Sequence, residues 1–182
     1  MNVLNIHITV SAGHAFADYS LGRKGEDMLL KDIIEKNHYA FHDRAVSWED
    51  AIRLSCGPLE QDGTVDQTYA DEIIACVRKH GPYIVIVPGL AMPHSTENAV
   101  GVHGTDIGFM KLAEPISFEE GNPAKDASVF FTLASIDSDA HLENMQRLYT
   151  VLTNEEVLAE LQNVKGPEDL IRLDAICEAA QA

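Results

Sequence analysis

A chain of 182 residues is long enough for one domain with a sizeable core, and 46% hydrophobic against 23% charged residues is an ordinary globular balance. A formal net charge of −16 sets it against nucleic acid and anionic membranes, which would repel such a surface. No run approaches the ~20 apolar residues of a membrane span, no basic-then-apolar leader opens the chain, and Cys56, Cys76 and Cys177 form no CxxC pair, so a cytoplasmic protein with reduced thiols and no membrane insertion is expected.

Leu4, Ile6, Ile8 and Val10 alternate with polar residues, which predicts a strand within residues 3–10. Ser11 to Gly25 is polar and reads as a linker or loop. Residues 1–26 are therefore expected to be an N-terminal extension, and residues 27–182 the domain. A helix begins near Glu26, with Leu29, Leu30, Ile33 and Ile34 on one face. His38 to Val46 is a candidate strand. Ser47 and Asp50 suggest a capping box for the next helix, which Gly57-Pro58 should end or bend. Asp66 to Lys79 is another helix, with Tyr69, Ile73, Cys76 and Val77 buried and Gly81-Pro82 as its stop.

Tyr83 to Val87 is a short, unbroken apolar run, and predicts a central strand covered on both faces. A strand from about Thr105 follows, broken by Pro115, and then a strongly apolar strand over Ala127 to Ile136. Asp137-Ser138-Asp139 is an N-cap cluster for a helix carrying His141 in its first turn, with Leu142, Met145, Tyr149 and Leu152 as its core stripe. Thr153-Asn154-Glu155-Glu156 reads as a second capping box, and Pro167 suits the first turn of a last helix. This alternation points to a parallel or mixed sheet covered by helices.

Candidate chemistry gathers at the carboxyl ends of the strands, where ligands of open α/β sheets bind. His94 follows Pro88-Gly89-Leu90-Ala91-Met92-Pro93, a stiff backbone that presents its imidazole from a constrained position. His141 follows the next apolar strand. If the two strands are parallel neighbours, the imidazoles converge beside a helix N-terminus that favours an anion. The chemistry suggested is a phosphate held beside a nucleophilic histidine, since neutral imidazole is available near pH 7. Both could equally be surface histidines.

Other residues carry weaker signals. Ser95 and Thr96 could donate to the phosphate or close the loop. Leu90, Ala91 and Met92 could rim the site for docking or pack beneath it. A metal-dependent hydrolase using His94, His103 and His141 with Asp106 or Asp139 has no tight ligand spacing behind it. His7, His14, His38 and His42 carry no local motif, and His80 reads as a helix-closing cation. The cysteines read as core thiols. The glycines form no phosphate-binding fingerprint, and neither a metal nor another cofactor is expected.

His80-Gly81-Pro82-Tyr83 followed by Pro88-Gly89-Leu90-Ala91-Met92-Pro93-His94, with Asp139-Ala140-His141-Leu142 later, resembles the enzyme IIA component of the bacterial phosphoenolpyruvate-dependent sugar phosphotransferase system. The type is the fructose–mannitol one, and the full motif is most similar to the L-ascorbate branch. The resemblance runs from about Met28 to Cys177. It implies a three-layer α/β/α sandwich with a mixed, mostly parallel sheet. It also implies that His94 accepts a phosphoryl group from the phosphocarrier HPr and passes it to a cysteine of a IIB component during sugar uptake, with Nε2 as the phosphorylated nitrogen. His141 would be the supporting histidine; a homodimer is compatible with this picture. The alternative is a regulatory module of the same fold that controls a protein partner through phosphorylation. Three departures stand out. The first 26 or so residues match no part of the family's pattern, Ser95-Thr96 stands where the ascorbate branch commonly has a Gly-Arg, and Gly57-Pro58 interrupts a helix that the family continues.

Overall fold

The computed structural model describes residues 29–96 and 98–181. The strand expected within residues 3–10 and the linker after it lie outside the described residues. The chain forms α1 (Leu29–Glu35), β1 (Tyr39–His42), α2 (Trp48–Gln61), α3 (Gln67–His80), β2 (Val85–Val87), β3 (Gly89–Ala91), β4 (Asp106–Ser117), β5 (Asp126–Ala134), α4 (Ser138–Leu152), α5 (Glu155–Leu161) and α6 (Pro167–Gln181), with a 3₁₀ turn at Pro123–Lys125 before β5.

The sheet has five strands in the order β1-β4-β5-β3-β2. β1 runs parallel to β4 and β3 parallel to β5, whereas β4 and β5, and β2 and β3, are antiparallel. The sheet is thus mixed, as expected, but its parallel and antiparallel pairs are equal in number rather than mostly parallel. Alternation along the two long strands divides the core between the faces. Met110, Leu112 and Phe130 pack under α2 and α3. Ile107, Phe109, Phe131 and Leu133 pack under α1, α4, α5 and α6. Phe109 and Phe131 meet edge-on at 5.3 Å between ring centroids. Removing either ring would cost about 3–5 kcal/mol. Two apolar layers on one sheet make the three-layer α/β/α sandwich.

Several local expectations change. The run from Tyr83 to Val87 is not a central strand. Only Val85–Val87 is strand, and it lies at the sheet edge. Pro82 and Pro88 bracket too short a segment, and the chain reverses at Gly89, whose φ of 88° is left-handed. A Cβ there would also lie 2.9 Å from the Gln162 amide. Lys125 Nζ donates to the Val85 carbonyl at 3.1 Å beside this edge strand.

Pro115 does not end β4. It falls inside the strand, where the register with β5 shifts between Lys111 and Ile116, a place that tolerates a missing N–H. Gly57-Pro58 neither ends nor interrupts α2, which continues to Gln61 with Pro58 buried. Near this proline, which lacks the N–H of a regular helical residue, the Thr132 hydroxyl donates to the Ser55 carbonyl at 3.0 Å from the sheet. Ser47 caps α2 as expected, but Asp50 accepts from the Val46 N–H rather than from that of Ser47. The candidate strand over His38 to Val46 shortens to β1. Asn154, not Thr153, caps α5, and the Thr153 hydroxyl donates to the Tyr149 carbonyl.

The buried stripe of α4 is rotated from the expected one. Leu142 and Tyr149 are exposed, while Asn144, Leu148 and Val151 are buried. The cause is Asn144, a polar residue on the inward face. Its amide donates to the Ala134 carbonyl at 3.0 Å and reaches the Asp106 carbonyl at 3.4 Å, so it pins α4 to the ends of β5 and β4. All three cysteines are buried and free, as expected for core thiols.

Candidate functional site

β3 and β5 are parallel neighbours, so the segments leaving their carboxyl ends emerge side by side. His94 lies three residues after β3. His141 lies in the first turn of α4, which follows β5. Their rings stand 5.8 Å apart, centroid to centroid, tilted by 32°. His141 and Asn144 are three residues apart on one helical face, so the Asn144 bonds that fix the rotation of α4 also direct His141 toward His94.

The backbone around His94 is held at almost every polar group. The Pro93 carbonyl accepts from the Leu133 N–H at 2.9 Å, which continues the pairing with β5 past the end of β3. The His94 carbonyl accepts from the Tyr83 hydroxyl at 2.5 Å, and the Tyr83 ring meets the imidazole edge-on at 5.2 Å. The Ser95 N–H donates to the Tyr69 oxygen at 3.3 Å, and the Tyr69 hydroxyl donates in turn to the Leu133 carbonyl. Tyr69 is 2% exposed and so acts as a buried post between α3, β5 and the loop.

Glu72 on α3 organises the rest of the loop. It accepts from the Ser95 hydroxyl, the Asn98 N–H at 3.0 Å and the Val100 N–H at 2.5 Å. Ser95, considered from sequence as a phosphate donor, thus has its hydroxyl turned to a carboxylate. Glu72 and Asn144 were not legible as site residues, because each acts through contacts distant in sequence. Of the two roles open to Leu90, Ala91 and Met92, the structure shows the packed one: they are at most 5% exposed and lie beneath the loop. Ile136 and Leu142, either side of the α4 cap, are the exposed apolar residues nearest in sequence to His141.

The tautomer of His94 follows from one bond. Its Nδ1 lies 2.7 Å from the Met92 carbonyl oxygen. A carbonyl can only accept, so Nδ1 carries the proton and Nε2 keeps its lone pair. Burial pushes the His94 pKa down, against the supporting Met92 bond, and the neighbouring His141 lowers it further. Burial lowers that of His141 as well. Both rings are therefore neutral near pH 7.

The helix N-terminus is partly used: the Asp137 carboxylate accepts from the Ala140 N–H at 2.8 Å. His94 itself meets the Met92 carbonyl, the Tyr83 ring and hydroxyl, and the His141 ring. The residues of the metal alternative separate. His103 pairs with Asp66 at 2.8 Å, and Asp106 pairs with Lys36 at 2.7 Å. Among the described residues no three His, Cys, Asp or Glu side chains gather to hold a metal.

A third histidine, unremarkable in sequence, is buried at the same end of the sheet. His38 is 2% exposed, with Nε2 2.6 Å from Asp62 and Nδ1 3.6 Å from Asp106. The Asp106 and Asp62 carboxylates raise its pKa against the cost of burial. Lys36 completes this cluster through Asp106.

The family of the phosphoenolpyruvate-dependent sugar phosphotransferase system, EIIA 2, matches residues 32–174. An ascorbate-specific PTS system EIIA component from Shigella boydii is 28% identical over 150 residues, covering 80% of this chain and 95% of its own. The crystal structure of a protein described as a PTS IIA domain, from Streptococcus pyogenes M1 GAS, superposes with a TM-score of 0.72 at 28% identity, covering 82% of this chain and 96% of its own. A complex of mannitol enzyme IIA with phosphorylated mannitol enzyme IIB from Escherichia coli shares the fold, with a TM-score of 0.63 at 22% identity over 76% of this chain and 94% of that one. No helix among the described residues is long and apolar enough to cross a membrane. With a match spanning most of its length, the chain belongs to the type-2 EIIA family and is a phosphotransferase component of the sugar phosphotransferase system.

Proposed function

We propose that the protein carries a phosphoryl group on His94 Nε2 between two protein partners in the cytoplasm. The observation that supports this most directly is the Nδ1–H bond to the Met92 carbonyl, because it leaves a neutral, unprotonated Nε2 beside His141. In the first step the Nε2 lone pair attacks phosphorus on the donor, HPr. The donor's bond to phosphorus breaks as the new P–N bond forms, and the group lands on His94. In the second step a IIB cysteine thiolate attacks the same phosphorus and His94 leaves as neutral imidazole. The chemistry needs alignment and charge stabilisation more than covalent assistance.

His141 supplies part of that stabilisation on this reading, by donating a ring N–H to a phosphoryl oxygen. The remaining donors are backbone N–H groups of the first turn of α4. The loop, held by Tyr69, Glu72 and Tyr83, keeps Nε2 in place without an induced rearrangement. The exposed Ile136 and Leu142 suit protein docking beside the two histidines. The IIA–IIB complex of the mannitol system lends support to a IIB acceptor, and the ascorbate-specific relative to an L-ascorbate branch. Residues 27–182 are the carrier domain in this scheme, and residues 1–26 an extension to it.

The test is intact-mass spectrometry at mildly alkaline pH after incubation with phosphoenolpyruvate, enzyme I and HPr. One acid-labile phosphoryl adduct, absent from His94→Ala and discharged on adding an ascorbate-branch IIB, is the expected result. An adduct that forms but is not discharged by any IIB would favour the regulatory module. No adduct on folded protein with its cognate HPr would defeat the proposal.

A further inference from the structure

A cleft of about 340 Å³ opens at the other end of the sheet, between the end of β1, the middle of β4 and the segment joining α5 to α6. It lies near Ser128, roughly six residues along β5 from Ala134, about 20 Å at the usual strand rise. Lys111 is one of its walls. Alternation along β4 places Lys111 on the face that buries Ile107 and Phe109, where an apolar residue would be expected. It is 7% exposed.

Its ammonium donates to the Leu112 carbonyl at 2.6 Å and to the Ser128 hydroxyl at 3.2 Å. Both acceptors are neutral, and an ammonium has three N–H donors. No carboxylate among the described residues pairs with it. Asp43 lines the cleft but is exposed and forms no ion pair with Lys111. A buried charge without a counter-charge is costly, and here burial lowers the lysine pKa with nothing to oppose it.

The surroundings are built to take a partner. Lys165 adds a second cation to the wall, so two lysines line the cleft against the one carboxylate of Asp43, in a chain whose net charge is −16. Phe41 and Val164 supply apolar lining. Gln162 is held in place, accepting from the Ser128 hydroxyl at 3.1 Å and donating to the Gly89 carbonyl at 3.3 Å. The volume is about ten times that of one water in the liquid. It sits at the small end of the usual range for ligand pockets.

We propose that this cleft binds a small organic anion, with one carboxylate or phosphate head on Lys111 and Lys165 and an apolar body against Phe41 and Val164. The site is separate from His94 and independent of the phosphoryl-carrier reading. Nothing among the described residues supplies the counter-charge, and an entering anion would.

The experiment is a titration of the full ¹⁵N-labelled chain, followed by amide shifts, with phenyl phosphate, benzoate, inorganic phosphate and neutral benzyl alcohol as probes. Saturating shifts at Ala113, Gln162 and Asn163 are expected with phenyl phosphate or benzoate, and whichever binds more tightly identifies the head group. Inorganic phosphate should bind more weakly, and benzyl alcohol should not saturate. Lys111→Met should weaken binding about tenfold, the effect of losing a charged hydrogen bond. Lys165→Gln, an exposed change that cannot unfold the core, should weaken it by a smaller factor and leave His94 phosphorylation unchanged. Linear, non-saturating shifts with both organic anions would overturn the proposal. So would equal affinities in wild type and in both lysine variants, or saturation confined to the amides around His94.

Discussion

Two histidine clusters sit at the same end of one sheet and are tuned in opposite directions. At the ends of β3 and β5, His94 and His141 face each other with no carboxylate among the described residues against either ring, and burial keeps both neutral. Beside β1 and β4, His38 lies between the carboxylates of Asp62 and Asp106, which favour its charged form. The residue type and the end of the sheet are the same. The difference is what touches the ring: burial favours the neutral form in one cluster, and carboxylates favour the charged form in the other.

The sharpest way to break this comparison is to remove one ring from each cluster. His94→Gln should abolish the acid-labile adduct altogether, whereas His38→Gln should leave its formation within a few-fold of wild type at a temperature where both variants are folded. Quantitative phosphoryl transfer from HPr measures both. Loss of the adduct in folded His38→Gln would mean that the two clusters are not independent.

Next in size is His141. If it donates to the phosphoryl oxygens, His141→Ala should slow phosphorylation about 10²–10³-fold, the usual effect of losing one donor to a developing charge. Asn144→Leu should slow it too, by a smaller factor, because α4 loses the bonds that set its rotation. Stopped-flow rates for the two variants would rank them. A faster rate in His141→Ala than in Asn144→Leu would contradict a phosphoryl donor at His141 and a positioning residue at Asn144.

Stability should divide the clusters by its pH dependence. His38 has a raised folded-state pKa, so its contribution is fully present below the ordinary histidine value of about 6.5 and is lost as pH rises through the folded value. His94 and His141 have lowered folded-state pKa values, so their neutral forms stabilise the fold above about 6.5 and that contribution is lost as pH falls through their folded values. Denaturant unfolding between pH 5 and 8 should therefore show opposite changes of slope in His38→Gln and in the His94→Gln, His141→Gln pair. Removing the buried His38 bonds should also cost about 1–3 kcal/mol. Equal slopes in all the variants would count against the contrast.

The smallest effect expected is at Glu72. Glu72→Gln keeps the shape but weakens the acceptor for the Asn98 and Val100 N–H groups. Hydrogen exchange at those two amides should quicken by about tenfold, the loss of roughly one charged hydrogen bond, while the Leu133 amide in β5 stays protected. Unchanged exchange at Asn98 and Val100 would remove Glu72 as the anchor of the loop.

Much was legible in the chain itself. Helix limits were legible where caps and glycines mark them, as at Asp66 and Gly81 around α3, because those signals act within a few residues. The apolar strand expected over residues 127–136 was legible as far as Ala134, where β5 ends, because its residues up to there are buried, whereas Ile136 beyond it is exposed. His94 stood out from its two prolines, and the extended motif around it carried the family. What only the tertiary structure decided depends on contacts between segments far apart in sequence. The parallel pairing of β3 with β5 brings two imidazoles together that are separated by 47 positions. Asn144, a polar residue among the apolar positions of α4, sets the buried stripe of that helix, because its amide meets carbonyls on two strand ends. His38 and Lys111 carried no local signal at all. A charge state belongs to the neighbours of a ring or an ammonium, and the fold alone chooses those neighbours.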